Sequence, residues 1–398
     1  MQKKQLFFAV ALLAAAGLAA VAARGPAASP DACEKKETLV ILVQFPDVKH
    51  EVIRDLVQAK FFRDLDAYVR EMSYGKACVS GRVTEKWYTL PHPIAHYKVV
   101  AQNLKVTKRP IDALLNDAIN AAAKDYDLSR YPYISLFLGA TQPQYGMMCL
   151  YAYPGFFGWA ATEQLKTKSG QVINGDIAIF TSRAHLGNMA HDMLHAFGGI
   201  RGGRRVVPCL YDHDLQARPG PFRRVFVRSL VNMGFWDPLS CHCYKYFQPP
   251  MGISSWTKLR LGWLAPEKVL TARPDRTTEA LLGPLEDGSS GTLAIRIPVS
   301  GSAYYLVENR QPIGHDQYLP GKGVLIMYAD DTVPECLDGK APVRLMDADP
   351  EVSLLRGAAF DTGERGSFVD AKNGFKLQLL GKLGDSYRIR VSPYPRPL

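Results

Sequence analysis

His191 and His195 stand four residues apart in the run Met189-Ala190-His191-Asp192-Met193-Leu194-His195-Ala196-Phe197-Gly198. On a helix this spacing puts both imidazoles on one face, where they can reach one metal ion. Asp192 adds a carboxylate able to accept a proton. The chemistry these residue types suggest is metal-assisted hydrolysis. The pair alone is a weak signal, because nine histidines in 398 residues produce such spacings by chance. His92 and His96 form a second pair, but Pro93 between them disfavours a helix interior, so both read as loop residues. The His191 pair has better flanks. An apolar run over 177–181 precedes it as a strand, and Gly198 follows where the helix must end. A satisfied helix pair without metal is the alternative.

In the His-Glu-x-x-His pattern of zinc peptidases, a glutamate after the first histidine acts as general base. Here that residue is Asp192. Its side chain is one methylene shorter, so its carboxylate falls about 1.5 Å short, and misplacing a general base costs about 10²-fold.

Other segments must position this helix. Residues 38–45 form a continuous apolar run and predict a buried strand. Over 56–72, Phe61, Leu65, Tyr68 and Met72 follow helical spacing. Residues 79–90 look strand-like. Pro110 opens a second helix, carried by Ile111, Leu114, Leu115, Ile119 and Ala122. Residues 133–138 predict another strand. From about residue 270 the texture changes. Leu293, Ile295, Ile297 and Val299 alternate with Ala294, Arg296 and Pro298, and Tyr387, Ile389 and Val391 alternate with Arg388 and Arg390. With a further candidate at 321–328, this stretch reads as a β-rich second domain.

Composition is globular, at 47% hydrophobic and 22% charged residues. Residues 1–23 read as a secretory signal peptide: Lys3 and Lys4 precede an apolar stretch and small-residue cleavage sites. An uncleaved anchor is the alternative. No later apolar run is long enough to span a membrane. The net charge of +10 favours anionic partners such as cell-surface polymers. Nucleic acid is not expected, since no binding module is recognised and the chain reads as exported. Seven cysteines in an exported chain predict disulfides and one spare thiol.

Several segments resemble one family, the secreted zinc metallopeptidases of the immune inhibitor A type, relatives of the metzincins. Leu42-Val43-Gln44-Phe45-Pro46-Asp47 is similar to the family's opening strand. Ser73-Tyr74-Gly75 with Gly81, Val83 and Trp87-Tyr88 resembles its next segment, and Pro208-Cys209-Leu210-Tyr211-Asp212 resembles Pro-Asp-Leu-Tyr-Asp. Trp236-Asp237-Pro238-Leu239-Ser240 resembles Trp-Asp-Leu-Met-Ser, which carries the methionine turn under the metal. Residues 255–263 and 304–310 resemble two later segments. The resemblance implies an α+β architecture: a linker at 24–37, a metzincin-like zinc peptidase domain at 38–269, and a β-sandwich-like domain at 270–398. It also implies a monomer that acts on proteins or peptides.

Three departures fall at the metal site. Asp192 is the first. The second is the third ligand, since the family's ligand Asp position is occupied by Arg201, which stays protonated. If 199–207 is an insertion, Cys209 takes the ligand's place, and His191, His195 and Cys209 could hold zinc. A disulfide from Cys209 to Cys241 or Cys243 is the alternative, with Asp212, His213 and Asp214 as reserve ligands. The third departure is Leu239 for the methionine. Cys241-His242-Cys243 reads as a disulfide with a surface histidine, or else as a soft-metal site. Arg201, Arg204, Arg205, Arg218, Arg223, Arg224 and Arg228 form a basic stretch, read as a solvated loop or a rim that attracts anions. Three functions follow as expectations: a secreted zinc endopeptidase with Asp192 as a weakened base, an inactive pseudo-peptidase, or a structural metal module.

Overall fold

Leu39, Val40, Ile41, Leu42 and Val43 of β1 (Glu34–Gln44) are all fully buried, so this strand has no solvent face and must be covered on both sides. In the computed structural model, which describes residues 33–98, 108–146, 149–153, 165–216, 218, 220 and 222–396, the first sheet is built around it. β2 (Ala77–Val83), β3 (Tyr88–Thr89) and β4 (Tyr133–Leu138) pair parallel to β1. β5 (Cys149–Tyr153) runs antiparallel on the outer side of β6 (Asp176–Thr181), giving the order β2-β1-β4-β6-β5 with β3 also on β1. β1 starts before residue 38 because a Cys33–Cys78 disulfide and the Glu34↔Ala77 pairing extend the ladder. The single strand expected over 79–90 is two. Thr84 breaks it, its Oγ1 accepting from Leu42 N and donating to Lys86 O.

The helix expected over 56–72 is α1 (Arg54–Ala59) and α2 (Asp66–Met72), joined by a π-helical stretch, Lys60–Leu65. Phe61, Leu65, Tyr68 and Met72 are its buried face. α3 (Ile94–Tyr97) corrects the loop reading of His96: Pro93 sits at its N-cap, where a missing N–H does no harm, and only His92 remains in a loop. α4 (Lys108–Ala122) begins just ahead of Pro110, which still lies in the first turn. α5 (Gln142–Tyr145) is short, and α6 (Leu186–Gly198) carries the histidine pair.

Two apolar layers enclose the first sheet. On one face Leu39, Ile41 and Val43 meet Ile111, Leu114, Leu115 and Ile119 of α4. On the other, Val40 and Leu42 meet α1, α2 and Met189, Ala190 and Met193 of α6. Alternate strand residues feed opposite layers, as the pleat requires.

After α6 come a hairpin of β7 (Ile200–Arg201) and β8 (Arg204–Arg205), then α7 (His213–Gln216), α8 (Phe222–Ser229) and α9 (Ser255–Arg260). The β-rich part follows. β9 (Val269–Thr271), β11 (Ala294–Pro298), β12 (Ala303–Arg310), β13 (Gly323–Asp330) and β14 (Val343–Leu345) form one sheet. β10 (Thr278–Leu282), β15 (Ser367–Asp370), β16 (Phe375–Leu383) and β17 (Ser386–Pro393) form another. Tyr305 and Val307 of β12 pack with Leu377, Ile389 and Val391 of the second sheet. Tyr304 and Leu306 point the other way, into the layer that holds α6 and Trp236. The apolar core therefore runs without a break from the histidine helix into the β-rich part. The fold is mixed α/β with several sheets.

A buried ionic cluster lies where these parts meet. Arg310, fully buried, bonds Glu308 at 2.9 Å, Asp316 at 2.7 Å and the Gly252 carbonyl at 2.9 Å. Glu308 also accepts from Ser255 N at the start of α9 (2.6 Å), and Lys258 of α9 reaches Glu286 and the Met72 carbonyl. Among the described residues no helix is long and apolar enough to cross a membrane. The expected leader, 1–23, lies outside the described residues.

Candidate metal centre

α6 is buried from Gly187 to Phe197, so its polar side chains must find partners inside the protein. His185 caps its first turn, Nδ1 accepting from Gly187 N at 3.1 Å. The turn residue at its end is Gly199, at φ +66°, rather than Gly198. Gly198 is the last helical residue, and a Cβ there would come within 2.7 Å of Val207 Cγ2.

That close approach orients the site. The Val207 carbonyl accepts from His195 Nδ1 at 2.6 Å, and the Pro238 carbonyl accepts from His191 Nδ1 at 2.8 Å. A ring that donates from Nδ1 to a carbonyl presents a lone pair at Nε2. The two Nε2 atoms are 3.1 Å apart, and Sγ of Cys209 lies 3.4 Å from that of His195 and 3.9 Å from that of His191. Two lone pairs and a sulfur thus converge on one point. A tetrahedral zinc-sized ion has donor–donor edges of about 3.3 Å between nitrogens and about 3.6 Å between nitrogen and sulfur. The three donors fit those edges, and the buried His191-His195-Cys209 group could bind a metal ion.

The hairpin delivers the sulfur. Gly202 (φ +57°) and Gly203 (φ +73°) turn it, as a tight two-residue hairpin loop requires. Residues 199–207 leave α6 and return, so Cys209 reaches the imidazoles while Arg201 stays exposed. Leu210 N then donates to the Leu239 carbonyl at 2.9 Å, tying this arm to the turn that supplies the Pro238 carbonyl. In that turn the Asp237 carboxylate bonds Leu239 N, Ser254 and Thr257.

Burial opposes charge on Cys209, yet the facing imidazoles of His195 and His191 and a hydrogen bond from His213 hold its thiol well below the ordinary range. Burial lowers His191, but the hydrogen bond and charge of Cys209 raise it overall. His213 follows the same logic: against burial, Cys209 and Glu335 push it up to about 10. Burial and neighbouring His191 depress His242 well below its usual value.

Asp192 is buried beside His191, and its charge is felt at His191 and Tyr211, but its carboxylate is outside the three-donor group. Asp212 does not join it either. Its Oδ1 accepts from Leu215 N at 2.7 Å, capping α7. The cysteine pairing needs correction. Cys209, Cys241 and Cys243 are free thiols, as is Cys336, so the expected 241–243 disulfide does not form. Cys241 Sγ instead lies 3.2 Å from the Cys243 carbonyl. His242 is only partly exposed: its ring meets His191 edge-on at 4.6 Å and Nδ1 bonds Asn188 at 2.9 Å.

The basic stretch divides. Arg201, Arg204, Arg218, Arg224 and Arg228 are exposed, whereas Arg205 turns inward, Nη1 lying 3.6 Å from Cys209 Sγ. The Arg223 side chain is outside what the structure describes. Sequence reasoning missed the loop after β13. His213 N donates to the Cys336 carbonyl, His213 Nε2 lies 3.6 Å from Glu335, and Asp338 N donates to Asp214. Only its acids hinted that it faces a basic arm. The chain matches no model of a protein family, and comparison with curated proteins finds no match.

Proposed function

We propose that this protein is an exported zinc metallopeptidase of the immune inhibitor A type, with a metzincin-like catalytic part at 38–269 and a β-sandwich-like part at 270–398. The observation that carries the reading is the convergence of His191, His195 and Cys209, with both imidazoles oriented through Nδ1 by backbone carbonyls. Three protein ligands leave one coordination position open, the pattern of catalytic rather than structural zinc. Further support is that the resembling segments meet in space: Pro238 serves His191, and Ser255 bonds Glu308.

When bound, zinc supplies a Lewis acid for a peptide carbonyl and lowers the pKa of a water. Asp192, on the turn beside His191, would take the proton of the attacking water. Its shorter reach makes it a poor base and the enzyme slow. The exposed arginines favour acidic peptides or anionic surface polymers as partners. A second reading, a pseudo-peptidase that binds zinc without cleaving, is favoured by exposures of only 4%, 2% and 3% at His191, His195 and Cys209.

The test is zinc content of the purified chain and chelator-sensitive casein cleavage, beside Asp192→Glu. Zinc with cleavage supports the peptidase. Zinc with cleavage only in Asp192→Glu marks the pseudo-peptidase. No zinc in either ends both.

A further inference from the structure

We propose that Tyr211 and Arg205 are positioning residues for the metal's sulfur ligand, donating hydrogen bonds to Cys209 Sγ that draw charge out of the thiolate. The inference rests on the zinc reading above. Tyr211 Oη lies 3.2 Å from Sγ and Arg205 Nη1 lies 3.6 Å from it. A ligating sulfur has no proton to give, so the hydroxyl of Tyr211 is the donor in that pair. The Tyr211 ring stands nearly parallel to that of His191, at 13° and 6.0 Å.

The chemistry explains why Tyr211 and Arg205 face the sulfur beside His213. A thiolate gives a metal more charge than a neutral imidazole does, which makes a water on that metal less acidic. Hydrogen bonds to the sulfur, one from a guanidinium, pull in the opposite direction. Cys209 is 3% exposed, so water competes little for the sulfur and each bond acts at low dielectric. Both donors come with the sulfur: Arg205 is on β8, and Tyr211 follows Cys209 by two residues. The arm that substitutes a sulfur ligand thus carries the groups that temper it.

The experiment uses the full chain loaded with cobalt(II), because zinc has no visible spectrum. The sulfur-to-cobalt charge-transfer band is recorded for the wild type, Cys209→Ser, Tyr211→Phe and Tyr211→Phe/Arg205→Met. The band is expected in the wild type, lost in Cys209→Ser, moved to longer wavelength in Tyr211→Phe and further in the double variant. Zinc affinity of the double variant is expected to fall about 10-fold. In the wild type, exchange into D2O is expected to shift the cobalt–sulfur stretch, a readout that does not depend on any variant folding. A band unmoved by both variants, or a stretch indifferent to D2O, overturns the inference while leaving the zinc reading intact. Absence of cobalt uptake, or uptake without a sulfur band, overturns the ligand set and this inference with it.

Discussion

Nε2 of His191 lies 3.1 Å from Nε2 of His195, with the two rings perpendicular. Both nitrogens present lone pairs, because both Nδ1 protons are given to carbonyls. A shared cation would bind both lone pairs and so favour the folded state. Zinc at about 100 times its Kd is expected to add about 2.7 kcal/mol to folding, a rise in Tm of about 3 °C or more. Thermal melts with zinc and with chelator measure it. In His195→Ala the two melts are expected to coincide, and a zinc-dependent shift of wild-type size there would falsify the assignment.

Asp192→Glu restores the longer base. Chelator-sensitive peptide cleavage is expected to rise by about 10²-fold in kcat/KM, with zinc content unchanged. A fluorogenic peptide assay at matched zinc loading reads the change. An equal or lower rate in the variant rules out a reach-limited base.

Glu71 of α2 accepts from both the backbone N (2.6 Å) and the ring Nδ1 (2.7 Å) of His315. Partial burial raises this carboxyl, but the bonds to His315 outweigh burial and hold it below the ordinary glutamate value of 4.5. A depressed acid contributes stability that is fully present above its unfolded pKa and lost as pH falls through its folded one. Between pH 6 and pH 3 the wild-type Tm is therefore expected to fall more steeply than that of Glu71→Gln. Above pH 6 the variant is expected to be less stable by about 1 kcal/mol. Parallel Tm profiles for the two proteins would refute the linkage.

Arg310 neutralises Glu308 and Asp316 where no water reaches. Arg310→Met leaves both carboxylates buried without their cation, at a cost of about 3–5 kcal/mol. Urea denaturation measures it. The exposed pair Arg273–Asp275 is the control, and Arg273→Met is expected to leave the urea midpoint little changed.

Much of this architecture was legible in the residue pattern, and the candidate metal centre was legible in part. Apolar runs and helical spacing located β1, β4, β6, α2, α4 and α6, because a buried face imposes its own period on the chain. His191 and His195 were readable for the same reason: on a helix, spacing alone fixes which side chains share a face. Tertiary structure decided the rest. Pro238 and Val207 turn the imidazoles through backbone carbonyls, which every residue type possesses and no sequence pattern marks. The fate of the cysteines was likewise open, since a disulfide depends on the distance between two chains. Cys33 meets Cys78 across paired strands, whereas Cys241 and Cys243 remain thiols. The approach of Cys209, Tyr211 and Arg205 needed a hairpin of the right length and turn to bring them back to the helix. Sequence supplied the donor types, and the path of the backbone set which of them share a centre.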